Sequence, residues 1–211
     1  MGTVDQVTSQ RKPRGPYRKG IERREQILQA ALDVLAQRGE RGSSLQEIAD
    51  RVGVTQPALL HYFSSRDELL LAVVEQRDKL DPVVSEGLQK PGDAIAAAVQ
   101  HNMDQPGLVR LFVTLSAAAT DPSHHAHAFF ARRYGKLTSR IAPGLAQGQQ
   151  SGQVRADVDP ERVARLLLAV LDGLQIQWLL DPSVDMVQLV ETFTAMYTEC
   201  ASSEPGSVAE G

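Results

Sequence analysis

Residues Ser44 to Phe63 read SLQEIADRVGVTQPALLHYF, and this stretch decides how the chain folds. Ser44-Leu45-Gln46-Glu47 is a capping box, in which a hydroxyl and a carboxylate each satisfy a backbone N–H that the helix start leaves open. The helix it opens carries Leu45, Ile48, Ala49 and Val52 on one stripe and stops at Gly53, a residue that tolerates positive φ. A second, very short helix runs from about Gln56 to Tyr62, with Thr55 as N-cap and Pro57 tolerated in the first turn. Ile48, Ala49, Leu59 and Phe63 would face inward and Val54 would plug the core, while small Ala49 lets the two helices approach. Thr55, Gln56, Ala58, His61 and Tyr62 are left on the outside. Two helices crossed over a sharp turn, with a polar outer face on the second, are what a DNA-reading helix-turn-helix requires.

Working outward, the same 3.6-residue period recurs. Ile27, Ala30, Ala31, Val34 and Leu35 form one stripe of a helix that ends at Gly39. Ser65-Arg66-Asp67-Glu68 is another capping box and opens a helix with Leu69, Leu70, Val73 and Val74. Beyond Pro82 the breakers mark off Asp93–Asp104, Leu108–Thr120, His124–Gln150 (with a candidate bend at Pro143-Gly144), Pro160–Leu180 and Asp185–Cys200. Asp159-Pro160 is a strong start signal. Strand-like alternation and internal repeats are missing, so the chain reads as all-α with about nine helices. The expected organisation is a flexible basic arm over 1–20, a helix-turn-helix domain over 21–81, a ligand-binding and dimerisation domain over 82–201, and a tail over 202–211.

Composition narrows the function classes. The 211 residues are 42% hydrophobic and 23% charged, as in an ordinary globular protein. A membrane span is not expected, and the polar, basic N-terminus lacks the apolar segment of a secretory signal. The single cysteine, Cys200, excludes an internal disulfide and suits a reducing cytoplasm. The net charge of −4 is unevenly spread: residues 1–24 carry +5 and the other 187 carry −9. A basic arm on an acidic body points to contact with a polyanion.

The segment from Arg24 to Gln76 resembles the TetR family of tetracycline-repressor-like regulators. The resemblance rests on Ile27-Leu28-x-Ala30-Ala31, the Gly39 stop, Ile48-Ala49 before Gly53-Val54, and Phe63 followed by Arg66, Leu69 and Leu70. Phe129-Phe130-Ala131-Arg132-Arg133-Tyr134 and Asp172-Gly173-Leu174-Gln175 are similar to later helices of some members. The resemblance implies a homodimer that sets each recognition helix in a major groove of a near-palindromic double-stranded operator. It puts Thr55, Gln56, Pro57, Ala58 and His61 at bases or adjoining sugars, and Tyr62 and Arg66 at phosphates. Ser44 would cap the supporting helix against the DNA backbone, and Arg14, Arg18 and Lys19 would enter a minor groove. Gln56 can pair bidentately with adenine and Ala58 can touch a thymine methyl. One departure stands out: the family usually has a phosphate-contacting tyrosine where this chain has Leu60.

The C-terminal half supplies the remaining candidates. The broad apolar face of Pro160–Leu180, with Leu167, Val170, Leu171 and Leu174, joins Val190 and Phe193 of the last helix as a candidate two-fold interface. Gly173 reads as a point of close helix approach. His101, Met103, Phe112, Leu115, Gln175 and Trp178 are the candidate lining for a largely apolar effector. His124-His125-Ala126-His127 does not put three imidazoles on one helical face, so it reads as a helix start without metal; no cofactor is expected. An enzyme is disfavoured, since no phosphate loop, metal motif or nucleophile setting occurs. The other alternative, an interaction module with a degenerate helix-turn-helix, fits poorly with the basic arm and polar recognition face.

Overall fold

The structure, a computed structural model, describes residues 15–40, 42–80 and 91–198. Within them the chain forms nine helices: α1 (Gly15–Arg38), α2 (Leu45–Val52), α3 (Gln56–Tyr62), α4 (Arg66–Leu80), α5 (Pro91–Met103), α6 (Pro106–Ala118), α7 (His127–Gln150), α8 (Pro160–Leu180) and α9 (Met186–Ala195). The all-α expectation holds, and only an isolated bridge between Val154 and Thr198 is β-like among the described residues. That bridge, with the Arg155 amide donating to the Tyr197 carbonyl at 2.9 Å, explains why α9 stops at Ala195 rather than reaching Cys200. Cys200, Arg14 and the tail lie outside the described residues. The arm expected over 1–20 needs correction from Gly15 onward, because residues 15–20 are the first turns of α1.

The caps behave as their side chains dictate. Ser44 Oγ accepts from the Glu47 amide at 3.1 Å, Thr55 Oγ1 from Ala58 at 3.3 Å, and Asp159 from both Glu161 and Arg162. Gly53 sits at φ 72°, with its own amide bonded to Asp50 O and the Val54 amide to Ala49 O at 3.0 Å. This is the 6→1 and 5→2 pattern of a Schellman turn, and it sends the chain sharply from α2 into α3. His124 Nδ1 accepts from the Ala126 amide and His127 Nδ1 lies 2.8 Å from Ala119 O, so these imidazoles shape the entry to α7. α7 itself runs on through Pro143.

Two hydrophobic cores result, and their division is not at residue 81. The first gathers Ile27, Ala31, Leu35, Ile48, Ala49, Leu59, Phe63, Leu69 and Val73, but also Leu108, Leu111, Phe112 and Leu115 of α6. The second joins α5, α8, α9 and the later part of α7 through Ile95, Leu137, Ile141, Leu145, Leu167 and Val190. α6 thus packs as part of the N-terminal unit although the sequence assigns it to the C-terminal one. α8 is long and apolar enough by composition to cross a membrane, yet Val163, Ala164, Leu167, Leu168 and Leu174 are buried in the second core.

α6 lies against α1 at Gly107 without an intervening side chain. A Cβ there would stand 1.9 Å from Leu35 O and 2.8 Å from the Gly39 amide, so the first turn of α6 lies directly on the end of α1. Gly135, in the interior of α7, is the contrast, since a Cβ there meets nothing. Gly107→Ala is expected to destabilise by about 1–3 kcal/mol or more through overpacking. Gly135→Ala should stabilise by roughly 0.5–1 kcal/mol through helix propensity alone. Urea denaturation of the two variants beside the parent tests the opposed signs.

Candidate DNA-binding face and interior cavity

α3 is held by a buried inner edge and a capped start. Leu59 and Phe63 are fully buried, and the guanidinium of Arg24 lies 4.5 Å over the Phe63 ring. Arg23 donates to the Val52 carbonyl at 3.4 Å, tying the first half of α1 to the end of α2. The face left outward is smaller than the sequence suggests. Thr55, Pro57 and His61 are exposed, whereas Gln56, Ala58 and Tyr62 are half-buried. Ser44, exposed at the start of α2, is already engaged as its cap.

Arg18 and Arg66 both have partners within the protein. Arg18 pairs with Glu22 at 2.7 Å along α1. Arg66 donates to Glu40 Oε1 at 2.9 Å and to the Glu40 carbonyl at 3.0 Å, bracing the α1–α2 turn against the start of α4. Lys19 and Arg23 border a shallow depression with Tyr62, whose ring meets His61 edge-on at 5.8 Å. Leu60 is half-buried and packs on the first core, so the departure noted in the sequence has a packing role.

In the other half, a cavity of about 40 Å³ lies where α4, α5, α7 and α8 meet. Its lining is Arg77, Ile95, Ala98, Val99, Asn102, Arg133, Leu137, Leu168, Leu171, Asp172 and Gln175. Of the six residues expected to line a pocket, Gln175 alone is there. Phe112 and Leu115 are buried in the first core and His101 is exposed beside Gln105. Met103 borders a surface depression next to α9, and Trp178 packs on the second core from its edge. Periodicity identifies a buried face; which residue of it meets a void depends on helices far away in sequence.

The sequence pattern does not reveal the polar wall of this cavity. Arg133 donates to both oxygens of Asp78, at 2.5 and 3.0 Å, with each side chain 12% exposed. Arg77 donates to Asn102 Oδ1 at 2.5 Å, and both guanidinium groups lie over the Phe112 ring, at 5.3 and 4.7 Å. Tyr134 donates to Asp172 at 2.6 Å. Burial pushes the Asp172 carboxyl above its usual range despite that bond, and burial with the bond raises the Tyr134 phenol as well. Gln175 is 6% exposed, and its Oε1 has no donor among the described residues. The two phrases singled out in the sequence, Phe129–Tyr134 and Asp172–Gln175, therefore meet at one place.

The dimer candidates divide in the same manner. Leu167, Leu174 and Val190 are buried in the protomer's own core, which corrects their assignment to an outer face. Val170, Leu171 and Phe193 are half-buried. The apolar residues that do stand out are Leu166 at 56%, Ile176 at 47%, Leu180 at 82%, Leu189 at 42% and Met196 at 64% exposed.

Comparison with known proteins gives one answer for both halves. Residues 27–73 match the family described as bacterial regulatory proteins, tetR family. Residues 77–199 match the BetI-type transcriptional repressor C-terminal family. HTH-type transcriptional regulator PksA of Bacillus subtilis is 27% identical over 169 residues, spanning 76% of this chain and 80% of that protein. HTH-type transcriptional activator FasR of Mycolicibacterium smegmatis is 38% identical over 104 residues, 45% of this chain and 48% of FasR. The crystal structure of a TetR transcription regulator from Haloarcula marismortui shares the fold, with TM-score 0.66 and 20% identity over 85% of this chain and all of that one. The chain belongs to the tetR family of bacterial regulators and is a helix-turn-helix protein that binds DNA to regulate transcription.

Proposed function

We propose that this regulator acts as a homodimeric repressor on a near-palindromic operator and is released by a small-molecule effector. The observation that carries the reading is the position of α4. It begins beside the helix-turn-helix, and its last turn places Arg77 in the cavity wall and Asp78 on Arg133. Small-molecule sites usually enclose about 300–1,000 Å³, whereas this cavity holds about 40 Å³. An effector must therefore part α4, α5, α7 and α8 to enter, and displacing the end of α4 tilts the helix that orients α3. Repression is favoured by the long match to a repressor family over residues 77–199. Working on DNA places the protein in the cytoplasm.

The effector combines an apolar body with polar recognition, a revision of the largely apolar molecule expected from sequence. Ile95, Val99, Leu137, Leu168 and Leu171 supply the apolar wall, and Gln175 Oε1 awaits a donor. On the DNA side, Gln56 and Ala58 read bases beside Thr55, Pro57 and His61, while Lys19 and Tyr62 hold a phosphate at the α1–α3 joint. Arg18 and Arg66 contact phosphates only by leaving Glu22 and Glu40.

The dimer forms on the exposed stripe of α8 and α9. Leu166, Val170, Gly173, Ile176 and Leu180 recur at helical spacing, and Leu189, Phe193 and Met196 extend the stripe on α9. A Cβ at Gly173 would meet nothing within the protomer, and its place on the exposed stripe suits a second helix approaching from outside despite a mid-helix glycine costing about 1 kcal/mol. Leu171, half-buried, remains at its margin.

Selection of bound DNA from a random pool should return an inverted repeat; a single unpaired half-site would overturn the dimeric reading of DNA. Gln56→Ala should change the base preferred at one position per half-site, at a cost of about 1–3 kcal/mol for the parent sequence. A selection profile identical to the parent's would remove Gln56 from the reading face. Leu166→Glu with Ile176→Glu should give a helical monomer in analytical ultracentrifugation, and a dimer that survives both changes would place the interface elsewhere.

A further inference from the structure

The charged groups in the wall of the interior cavity are unequally matched. Arg133 lines the cavity but gives its hydrogen bonds to both oxygens of Asp78. Arg77 donates to Asn102 and has a further partner. Asp172 is the carboxylate that lines the cavity among the described residues, and its hydrogen bond comes from the neutral hydroxyl of Tyr134. Arg133 and Arg77 act on Asp172 through space, but burial outweighs them and holds its carboxyl above the usual range. One turn further along α8, Gln175 is buried with its Oε1 lacking a donor among the described residues. Residues three apart on a helix share a face, with Cβ atoms about 5–6 Å apart. The two acceptors therefore stand side by side, while both charged donors of the same wall are already committed.

We infer that the interior cavity takes a protonated primary amine on an apolar body, its ammonium donating to both Asp172 and Gln175. The inference rests on the reading of this cavity as the effector site and adds the ligand's chemical class. An ammonium carries its donors on one atom, so a single head group reaches two neighbouring acceptors. Its charge also gives Asp172 the charged partner that Tyr134 does not, and hydrogen bonds between charged groups are roughly twice as strong as neutral ones. The amide NH2 groups of Asn102 and Gln175 are uncharged, so Asp172 sets the sign of the ligand. Ile95, Leu137 and Leu168 are among the side chains left for the apolar body. A quaternary ammonium brings charge without an N–H, and an alcohol brings one donor without charge. A carboxylate brings neither and repels Asp172.

The test holds the apolar body constant and changes the head: octylamine, octyltrimethylammonium, octanol and octanoate, each titrated calorimetrically into the full-length protein at neutral pH. Octylamine should bind about tenfold or more tightly than the other three, the difference expected of one hydrogen bond to a charged group. Asp172→Asn keeps an oxygen for the Tyr134 hydroxyl and should erase the preference for octylamine over octanol. Gln175→Leu should weaken octylamine more than octyltrimethylammonium, which has no N–H to lose. The inference is overturned if another head group matches octylamine, or if none of the four binds at millimolar concentration. It is also overturned if Asp172→Asn lowers all affinities together and keeps their order, since Asp172 would then be structural only. Operator release is scored separately. Octylamine bound with this preference but leaving the operator complex intact upholds the ligand class and overturns the effector reading. Release by octanoate rather than octylamine does the reverse.

Discussion

The backbone contact between Gly107 and the last turn of α1 organises the rest of the molecule. With a Cβ position only 1.9 Å from Leu35 O, α6 can approach only because no side chain intervenes, and Gly39 at φ 68° turns the chain away just beyond. The apolar residues that follow on α6 then fall directly over α1 and α4, which is why Leu108, Leu111 and Phe112 complete the core of the helix-turn-helix unit. Close-packed interiors do not deform continuously. α1 and α6 consequently pack as one unit, and α4 is the other attachment, running from the start of the helix-turn-helix unit to the interior cavity.

That second attachment has a different chemistry. The end of α4 is held by Arg77 on Asn102 and Asp78 on Arg133, with both guanidinium groups over Phe112 of the α6 platform. Buried ion pairs contribute little net stability because desolvation offsets their attraction, but breaking one by removing a single partner costs about 3–5 kcal/mol. The pair therefore works as a geometric latch: it specifies one position of α4 sharply without making the fold depend on it for its overall stability. The interior cavity lies against this latch, with Arg77 and Arg133 both in its wall. Apolar packing at Gly107 and charged packing at Asp78 thus divide the labour between a fixed hinge side and a movable one.

How much of this could be read from the residues follows from the range of the interactions involved. Caps and turns are local, so Ser44, Thr55, Gly53 and Asp159 announce their elements, and the observed helices begin and end within a few residues of the expected ones. Ile48, Ala49, Leu59 and Phe63 face inward as their spacing implies. Non-local facts were not legible. Pro106-Gly107 looks like an ordinary breaker because nothing near it in sequence shows that Leu35 will lie on top of it. Leu167 and Leu174 sit on the same apolar helix as Leu166 and Ile176, and only the placement of α7 and α9 decides which of them turn inward. Arg133 and Asp172 stand in phrases that attract notice by resemblance, but their distance of tens of residues hides that both border one cavity.

The same distinction applies to the cations near α3 among the described residues. Arg23 is used on the Val52 carbonyl, Arg24 on the Phe63 ring and Arg66 on Glu40, each to set the angle of the helix pair. Leu60 is given to packing as well. A site built in this way spends its charged groups on orienting α3 rather than on sequence-independent attraction to phosphate. Non-specific DNA affinity comes almost entirely from such phosphate contacts, so committing these cations internally lowers it. Under the proposed function, discrimination then rests on the first turn of α3, from Thr55 to Ala58, and on the doubling of weak half-sites by a two-fold partner. On the proposed reading, an orientation-controlled reader of this kind is sensitive to small tilts of α4, which ties the economy of charge at one end of that helix to the latch at the other.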